Sequence, residues 1–153
     1  HFTLNRNAET EKNLEEVIAT VKQFRHKEGA PHPLNRILRS RWLMSKAISN
    51  PALLGMQELN FVESLLPTYD ALNNEPCSAV GLKGGIATLV ISATGVDLNL
   101  VPYAGGQINR HQPDALLFLM PEHDRHPAIF RQARHLSIEP IFTSIDEPWP
   151  KLQ

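Results

Sequence analysis

Apolar residues recur at helical spacing through the first third of the chain. Residues 8–28 carry Leu14, Val17, Ile18, Val21 and Phe24 at helical spacing with charges on the other face, which predicts an amphipathic helix. Gly29-Ala-Pro31 ends this helix, because glycine suits a helix C-terminus and proline cannot continue a helix. Two further helices are predicted over residues 34–48 and 52–66.

The pattern changes to that of β-structure from residue 77 onward. Residues 77–83 and 86–93 are rich in apolar and β-branched side chains, and Gly84-Gly85 between them predicts a β-hairpin turn. The second run, Ile-Ala-Thr-Leu-Val-Ile, barely alternates between apolar and polar residues, which predicts a strand buried on both faces. A helix over 127–135 and a closing strand over 139–145 follow.

These elements predict a single α/β domain over residues 1–153. Its helical front would span residues 8–66 and its αβ core residues 77–145, with helices packed on a mixed, largely antiparallel sheet. The composition, 42% hydrophobic and 20% charged, is ordinary for a globular protein of this length.

A second hairpin is predicted from residue 95 to residue 122. Residues 95–103 and 114–122 would be its strands, and the glycine-rich segment between them its turn. Because antiparallel partners share a constant sum of residue numbers, this hairpin pairs Asp97 with Glu122. Directly opposed β-carbons lie about 4.5–5.5 Å apart, and two carboxylates at that spacing repel unless a cation, a proton or hydrogen bonds intervene.

Paired carboxylates on neighbouring strands are a candidate metal site. Asp97 and Glu122, with a third carboxylate at Asp124, have the ligand type that Mg²⁺ prefers. A divalent cation held there stabilises the charge of an in-line phosphoryl displacement and lowers the pKa of a bound water. The chemistry that this arrangement suggests is phosphodiester hydrolysis.

The segments Gly95-Val-Asp97-Leu and Pro121-Glu-His-Asp124 resemble the signature of the PD-(D/E)XK nuclease superfamily, which has the restriction-endonuclease-like fold. The resemblance covers roughly residues 77–145. It implies a core of helix, three antiparallel strands, helix and strand, with Mg²⁺ or Mn²⁺ bound by Asp97 and Glu122. Asp124 stands where the family has a lysine, and Lys83 on the preceding hairpin would be its substitute. An additional acid that some members use would come from Glu11, Glu15 or Glu16.

The same acids also have a structural interpretation. Asp97 would face water, Glu122 would lie beside a helix N-terminus, where the dipole favours an anion by roughly 0.3–1 kcal/mol, and Asp124 would cap the following helix. His123, Asp124 and His126, together with Glu122, are also zinc ligand types. Their spacing matches no zinc signature, however, which favours exposed loop histidines.

Basic residues cluster on two of the predicted helices although the net charge is only −1. The helix over 34–48 has no acidic side chain, and Trp42 on it offers a stacking surface for a base. A solvated helix face paired with acidic residues is the alternative, and the near-zero net charge favours it. The candidate nucleic-acid residues are Arg36, Arg39, Arg41, Arg131 and Arg134.

The segment of residues 34–66 carries more apolar side chains than one helical stripe buries. Exposed apolar area of that kind marks an interface. A non-catalytic module that binds a protein partner or forms a homo-oligomer is therefore the leading functional hypothesis, and a metal-dependent nuclease is the alternative. The apolar residues concerned are Trp42, Leu53, Leu54, Met56 and Phe61.

The single cysteine, Cys77, bears on the compartment. It cannot form an intrachain disulfide, which suits a reducing environment, and its strand setting predicts a buried, inert thiol. No apolar run reaches the ~20 residues that a membrane span needs, and the N-terminus lacks the order of a signal peptide. The expected location is cytoplasmic, without membrane contact.

Overall fold

The computed structural model describes residues 12–20, 22, 37–64 and 74–145. They belong to two units, the first containing residues 12–20 and 22. Residues 12–20 form helix α1, as predicted, and its residues Leu14, Val17 and Ile18 are exposed. Residues 37–64 and 74–145 form the second unit, called the sheet domain below. Within the described part of the chain no helix has the length and apolarity to cross a membrane.

The sheet domain has a five-stranded mixed sheet in the order β1-β2-β3-β4-β5. The β1/β2 and β2/β3 pairs are antiparallel, whereas β3/β4 and β4/β5 are parallel. The predicted α/β class with a mixed sheet is confirmed. In chain order the elements are α2 (Arg39–Ser49), a 3-10 turn (Pro51–Leu54), β1 (Glu58–Phe61), β2 (Cys77–Lys83), β3 (Ile86–Ser92), α3 (Leu100–His111), β4 (Ala115–Leu119), a second 3-10 turn (Glu122–Asp124), α4 (Pro127–Ala133) and β5 (Pro140–Thr143).

Each face of the sheet is covered by different helices. Helix α2 packs on one face through Leu43, Met44 and Ala47, in one apolar cluster with Val90 of β3. Helices α3 and α4 contribute to a second apolar cluster on the other face, which includes Ile91 of β3. Val90 and Ile91 are both fully buried. The prediction that this strand is buried on both faces is confirmed.

The hairpin predicted from residue 95 to residue 122 is wrong. Residues 95–99 form a loop, α3 follows, and β4 joins the sheet parallel to β3 rather than antiparallel to a preceding strand. A parallel pair needs a crossover connection, which α3 supplies. Leu100, Ala104 and Ile108 recur at a spacing of four residues and are buried, so this segment gains more by packing one helical face on the sheet.

The helix predicted over residues 52–66 is also wrong in the part that the structure describes. A 3-10 turn ends at Gly55, whose φ of 68° is left-handed, and β1 follows. The register of β1 with β2 places Leu59 opposite Gly81 and Phe61 opposite Ala79. Glycine adopts a left-handed φ without steric cost, which is why the helical path stops at this residue.

A buried polar network joins the start of α2 to the end of β3. The backbone N–H of Ser40 donates to Oδ1 of Asn74 (2.9 Å), and Nδ2 of Asn74 donates to Oγ1 of Thr94 (2.8 Å). Ser92 Oγ donates to the Ser40 carbonyl oxygen (2.7 Å), and the Thr94 N–H donates to Ser40 Oγ (3.0 Å). Because buried polar groups are costly unless paired, this network holds α2 at one position on the sheet.

Candidate functional site

The loops after β3 and β4 lie side by side. Because β3 and β4 are parallel, their carboxyl ends meet at one edge of the sheet, and residues 93–99 and 120–126 are called the carboxyl edge below. The Ala93 N–H donates to the Leu119 carbonyl oxygen (3.0 Å), and the Gly95 N–H donates to Oδ2 of Asp124 (2.7 Å). Asp97 and Glu122 therefore belong to the same edge, although no hairpin pairs them.

Two of the three acids on the carboxyl edge accept hydrogen bonds that shape the backbone. Asp97 is half-buried, and its Oδ1 accepts from the N–H of Asn99 (2.8 Å), which forms a turn leading into α3. Asp124 is only 8% exposed and holds the Gly95 N–H. Glu122 is exposed at the start of its 3-10 turn. Asp97 and Asp124 thus have structural roles whatever else they do.

The histidines of the carboxyl edge do not form a metal cluster with these acids. His123 Nε2 lies 3.5 Å from Oδ1 of Asp124. His126 is the N-cap of α4, and its Nδ1 accepts from the N–H of Ala128 (3.2 Å). The prediction that Asp124 caps this helix is therefore wrong. Among the residues described here, no three His, Cys, Asp or Glu side chains are grouped so as to hold a metal ion.

Lys83, the predicted substitute for the family's lysine, lies at the other end of the sheet. It pairs with Ile86 where β3 begins, whereas Asp97 follows the end of β3. A strand of seven residues is roughly 20 Å long at 3.3 Å per residue. Because the β2–β3 hairpin reverses the chain direction, Lys83 at the end of β2 lies beside the start of β3. Lys83 is therefore too far from the carboxyl edge to assist chemistry there.

The strands that would carry the nuclease signature contain no acidic residue. If β1, β2 and β3 are compared with the three antiparallel strands of that core, the second and third have the sequences Cys-Ser-Ala-Val-Gly-Leu-Lys and Ile-Ala-Thr-Leu-Val-Ile-Ser. Asp97 and Glu122 both lie in loops that follow strands. The predicted match of the signature to two paired strands is therefore wrong, whereas the metal role of these acids stays a prediction.

Some predicted site residues are either not described or belong to the other unit. Arg36 and Glu11 are not among the described residues. Glu15 and Glu16 are exposed on α1, which belongs to the other unit.

The remaining basic residues do not form one patch. Arg39 and Arg41 are on α2, whereas Arg131 and the exposed Arg134 belong to α4 and the turn that follows it. These helices contribute to the apolar clusters on opposite faces of the sheet. The prediction that α4 extends a nucleic-acid surface from α2 is wrong, because the sheet separates the two helices.

The apolar residues predicted as an interface divide into buried and exposed members. Leu54 and Met56 belong to the core beneath α2, with 4% and 5% of their surface exposed. Trp42 is partly buried, and Nζ of Lys46 lies 5.9 Å from the centre of its ring. Leu53 and Phe61 are each 47% exposed. Part of this apolar set therefore belongs to the core, whereas the large side chains of Leu53 and Phe61 remain at the surface.

An apolar row crosses the sheet on the α2 face, one residue from each strand. The pairing places Phe61, Ala79, Val90, Leu117 and Ile141 in register from β1 to β5. The three middle residues are no more than 1% exposed, whereas Phe61 and Ile141 at the two ends are 47% and 57% exposed. Cover over this face thus stops short of Phe61 and Ile141.

Cys77 is buried at the start of β2, as predicted. Burial raises the pKa of its thiol from 9.0 to about 11, and the opposing effect of Arg41 beside it is smaller.

We expect alkylation of Cys77 by iodoacetamide at pH 8 to be about 100-fold slower in the folded protein than in the urea-unfolded chain, because the thiolate is the reactive form. Equal rates in the two states would contradict this. Stability should fall as pH rises from 9 to 11, since the unfolded chain loses the thiol proton first.

Comparison with models of known families, with curated proteins and with solved structures finds no match to this chain. Two features of the sheet domain bear on its function. They are the acids of the carboxyl edge and the exposed apolar side chain on edge strand β1.

Proposed function

We propose that the sheet domain is a non-catalytic module that associates with a second copy of itself through strand β1. The observation that carries the proposal is Phe61, which is 47% exposed at the β1 end of an apolar row whose three middle residues are buried. β1 is the first strand of the sheet order, and in the described part of the chain only β2 pairs with it.

The backbone of β1 is suited to accept another strand. The N–H of Val62 donates to the Ser78 carbonyl oxygen (3.1 Å), so residue 62 directs its backbone groups towards β2. Because these directions alternate along a strand, the N–H and C=O groups of Leu59 and Phe61 point away from β2. Such outward groups are the template on which a further strand is added.

The sequence of β1 is compatible with its own copy in an antiparallel pair. When Leu59 lies opposite Phe61 of the second copy, both hydrogen bonds of that pair use outward-directed groups. Asn60 then lies on the two-fold axis opposite its own copy, and Glu58 lies opposite Val62 rather than another glutamate. Phe61 gains an apolar neighbour on the same face, and cross-strand pairs of this kind contribute roughly 0.2–1 kcal/mol each. Two-fold dimers are the commonest oligomers.

The other edge of the sheet is less suited to the same pairing. β5 begins with Pro140, which has no N–H to donate to a neighbouring strand. Ile141, at the opposite end of the apolar row, therefore lies on a strand with fewer donors. This difference favours β1 as the edge that pairs.

We expect the Phe61→Glu variant to be monomeric where the wild-type protein is dimeric in sedimentation velocity experiments. The glutamate would place two charges in the apolar cross-strand pairs, whereas folding should be little affected because Phe61 is half-exposed. Leu53→Glu is the matched control, since Leu53 is also 47% exposed but lies in the turn before β1. A monomeric wild-type protein, or equal dissociation of both variants, would refute the proposal.

The proposed register has its own test. Asn60 and its copy would be a pair without direct hydrogen bonds, with α-carbons about 4.5 Å apart, which is within the range of a disulfide. Asn60→Cys should therefore give a covalent dimer on mild oxidation, whereas Glu58→Cys should not. A covalent dimer formed equally by both variants would exclude this register.

The alternative function is a metal-dependent, nuclease-like hydrolase, and one observation favours it. Asp97, Glu122 and Asp124 share the carboxyl edge, where parallel α/β sheets commonly bind ligands. Calorimetric titration of Mn²⁺ into the wild-type protein and the Asp97→Ala variant tests the idea, with the exposed Asp114→Ala as control. Binding that only Asp97→Ala abolishes would support a metal role, and its absence in the wild-type protein would remove that role.

A further inference from the structure

A small cleft opens where β1 ends and β2 begins. It lies next to the first turn of α2 on one side and α3 on the other, and its volume is about 40 Å³. A cavity needs roughly 10–15 Å³ to hold one water molecule, so a cleft of this volume accommodates a group of about three non-hydrogen atoms. The polar residues that line it include Arg41, Asn74, Glu75, Cys77, Ser78 and Tyr103.

The hydroxyl of Tyr103 has a proton to donate. Its oxygen accepts hydrogen bonds from Ser78 Oγ (2.8 Å) and from Gln107 Nε2 (3.1 Å), which occupy both acceptor positions. Gln107 is fully buried, and its Nε2 also donates to the Glu63 carbonyl oxygen (3.1 Å), which fixes the orientation of the amide. Tyr103 is therefore held as a donor at the wall of the cleft.

Arg41 also lines the cleft and supplies a positive charge. Its guanidinium donates a hydrogen bond to the Cys77 thiol, and burial raises the pKa of that thiol to about 11, so the thiol stays neutral at pH 7. The side-chain amide of Asn74 is already hydrogen-bonded to Ser40 and Thr94, so we do not assign it to the ligand. Glu75 is the other charged residue that lines the cleft.

We propose that this cleft binds a single carboxylate group, which accepts from the Tyr103 hydroxyl and from the Arg41 guanidinium. A carboxylate has three non-hydrogen atoms at its end and two acceptor oxygens, which matches both the volume and the two donors. Glu75 opposes a second negative charge, so a monoanion is favoured over phosphate. Val62, which follows β1, also lines the cleft, but neither donor belongs to β1, so the proposal does not depend on self-association.

Acetate is the probe for the test, followed by NMR of the Tyr103 ring and the Arg41 side chain in the intact protein. We expect saturable shifts, with affinity at least tenfold weaker in Tyr103→Phe and in Arg41→Gln. Arg134→Gln, an exposed arginine beyond α4, should leave the affinity unchanged. Tyr103→Phe retains the ring and its packing. Arg41 is exposed, so Arg41→Gln provides a second variant if Tyr103→Phe is unstable.

The inference fails if acetate produces no saturable shift, if phosphate binds more tightly than acetate, or if Tyr103→Phe binds acetate as well as the wild-type protein does. Two further probes distinguish the sources of a carboxylate. If acetyl-diglycine binds more tightly than acetate and its amide does not bind, the cleft recognises a peptide C-terminus. If acetyl-diglycine binds no better than acetate, the cleft recognises a small free acid.

Discussion

Replacing Gly81 with alanine is expected to lower the free energy of unfolding by about 2–3 kcal/mol and to loosen β1 from the sheet. A β-carbon at residue 81 would overlap the carbonyl oxygen of Glu58 and lie 3.2 Å from the α-carbon of Leu59. Both contacts are with backbone atoms of β1, which cannot rotate away as the end of a side chain can. The strand itself would have to move.

Thermal unfolding and amide hydrogen exchange measure this effect. The melting temperature should fall by roughly 5–10 °C. The amide of Val62, which donates to Ser78, should lose protection, whereas that of Met120, which donates to Thr143 on the far side of the sheet, should keep it. Self-association should weaken in the same variant, because β1 carries the proposed interface.

Gly105→Ala is the matched control, since it adds the same methyl group elsewhere. Gly105 lies within α3, and a β-carbon there would be 3.8 Å from Cδ2 of Leu136, an ordinary contact. Glycine inside a helix costs roughly 0.5–1 kcal/mol relative to alanine, so this variant should be more stable than the wild-type protein. Equal losses in both variants would show that the close approach of β1 is not the cause.

Asp124→Ala is expected to lower the free energy of unfolding by about 2–3 kcal/mol, because it leaves a partly buried backbone donor unpaired. Oδ2 of Asp124 is the acceptor for the Gly95 N–H at 2.7 Å and joins the two loops of the carboxyl edge. Asp124 is 8% exposed, so water has little access to replace the lost oxygen. Chemical denaturation of the variant gives the loss directly.

Two further variants separate the hydrogen bond from the charge. Asp124→Asn retains an oxygen that can accept from Gly95 and should lose only about 1 kcal/mol. Glu122→Gln, on the exposed neighbour, should change stability by no more than about 0.5 kcal/mol. If Asp124→Ala were as stable as Glu122→Gln, the acid would have no structural role, and a binding role would become the better explanation of its burial.

The elements that were predicted correctly are those with strong local signals. Gly84 and Gly85 both adopt a positive φ in the turn between β2 and β3, a conformation that few other residues tolerate. Pro127 begins α4, and the apolar spacing of α2 buries Leu43 and Ala47. In each case the relevant physics acts within a few residues, so that the sequence alone carries it.

The elements that were predicted wrongly depend on distant partners. Val96 and Leu98 alternate with polar residues as in a strand, yet they are exposed in a loop, and the helical spacing that begins at Leu100 is the one that packs on the sheet. Residues 58–61 become a strand because they pair with β2, not because their own pattern excludes a helix. Short apolar patterns suit both structures, and the tertiary partner decides between them.

The candidate sites show the same division. The sequence pairs Asp97 with Glu122 in a hairpin that does not exist, whereas the parallel pairing of β3 and β4 brings their loops to one edge of the sheet. The cleft lined by Arg41 and Tyr103 has no signal in the sequence, because its residues come from α2, β2, α3 and the segments that follow β1 and precede β2. A pattern along the chain does not contain such a contact.

The sequence by itself determined the α/β class, the β2–β3 hairpin, the buried central strand and the buried thiol of Cys77. These follow from local turn chemistry and from the cost of exposing apolar side chains to water. Only the tertiary structure decided that β4 is parallel to β3, that Phe61 is left exposed on an edge strand, and that Asp124 holds the backbone of Gly95. Each of these depends on which segments meet in space, and that is set by the packing of the whole sheet domain.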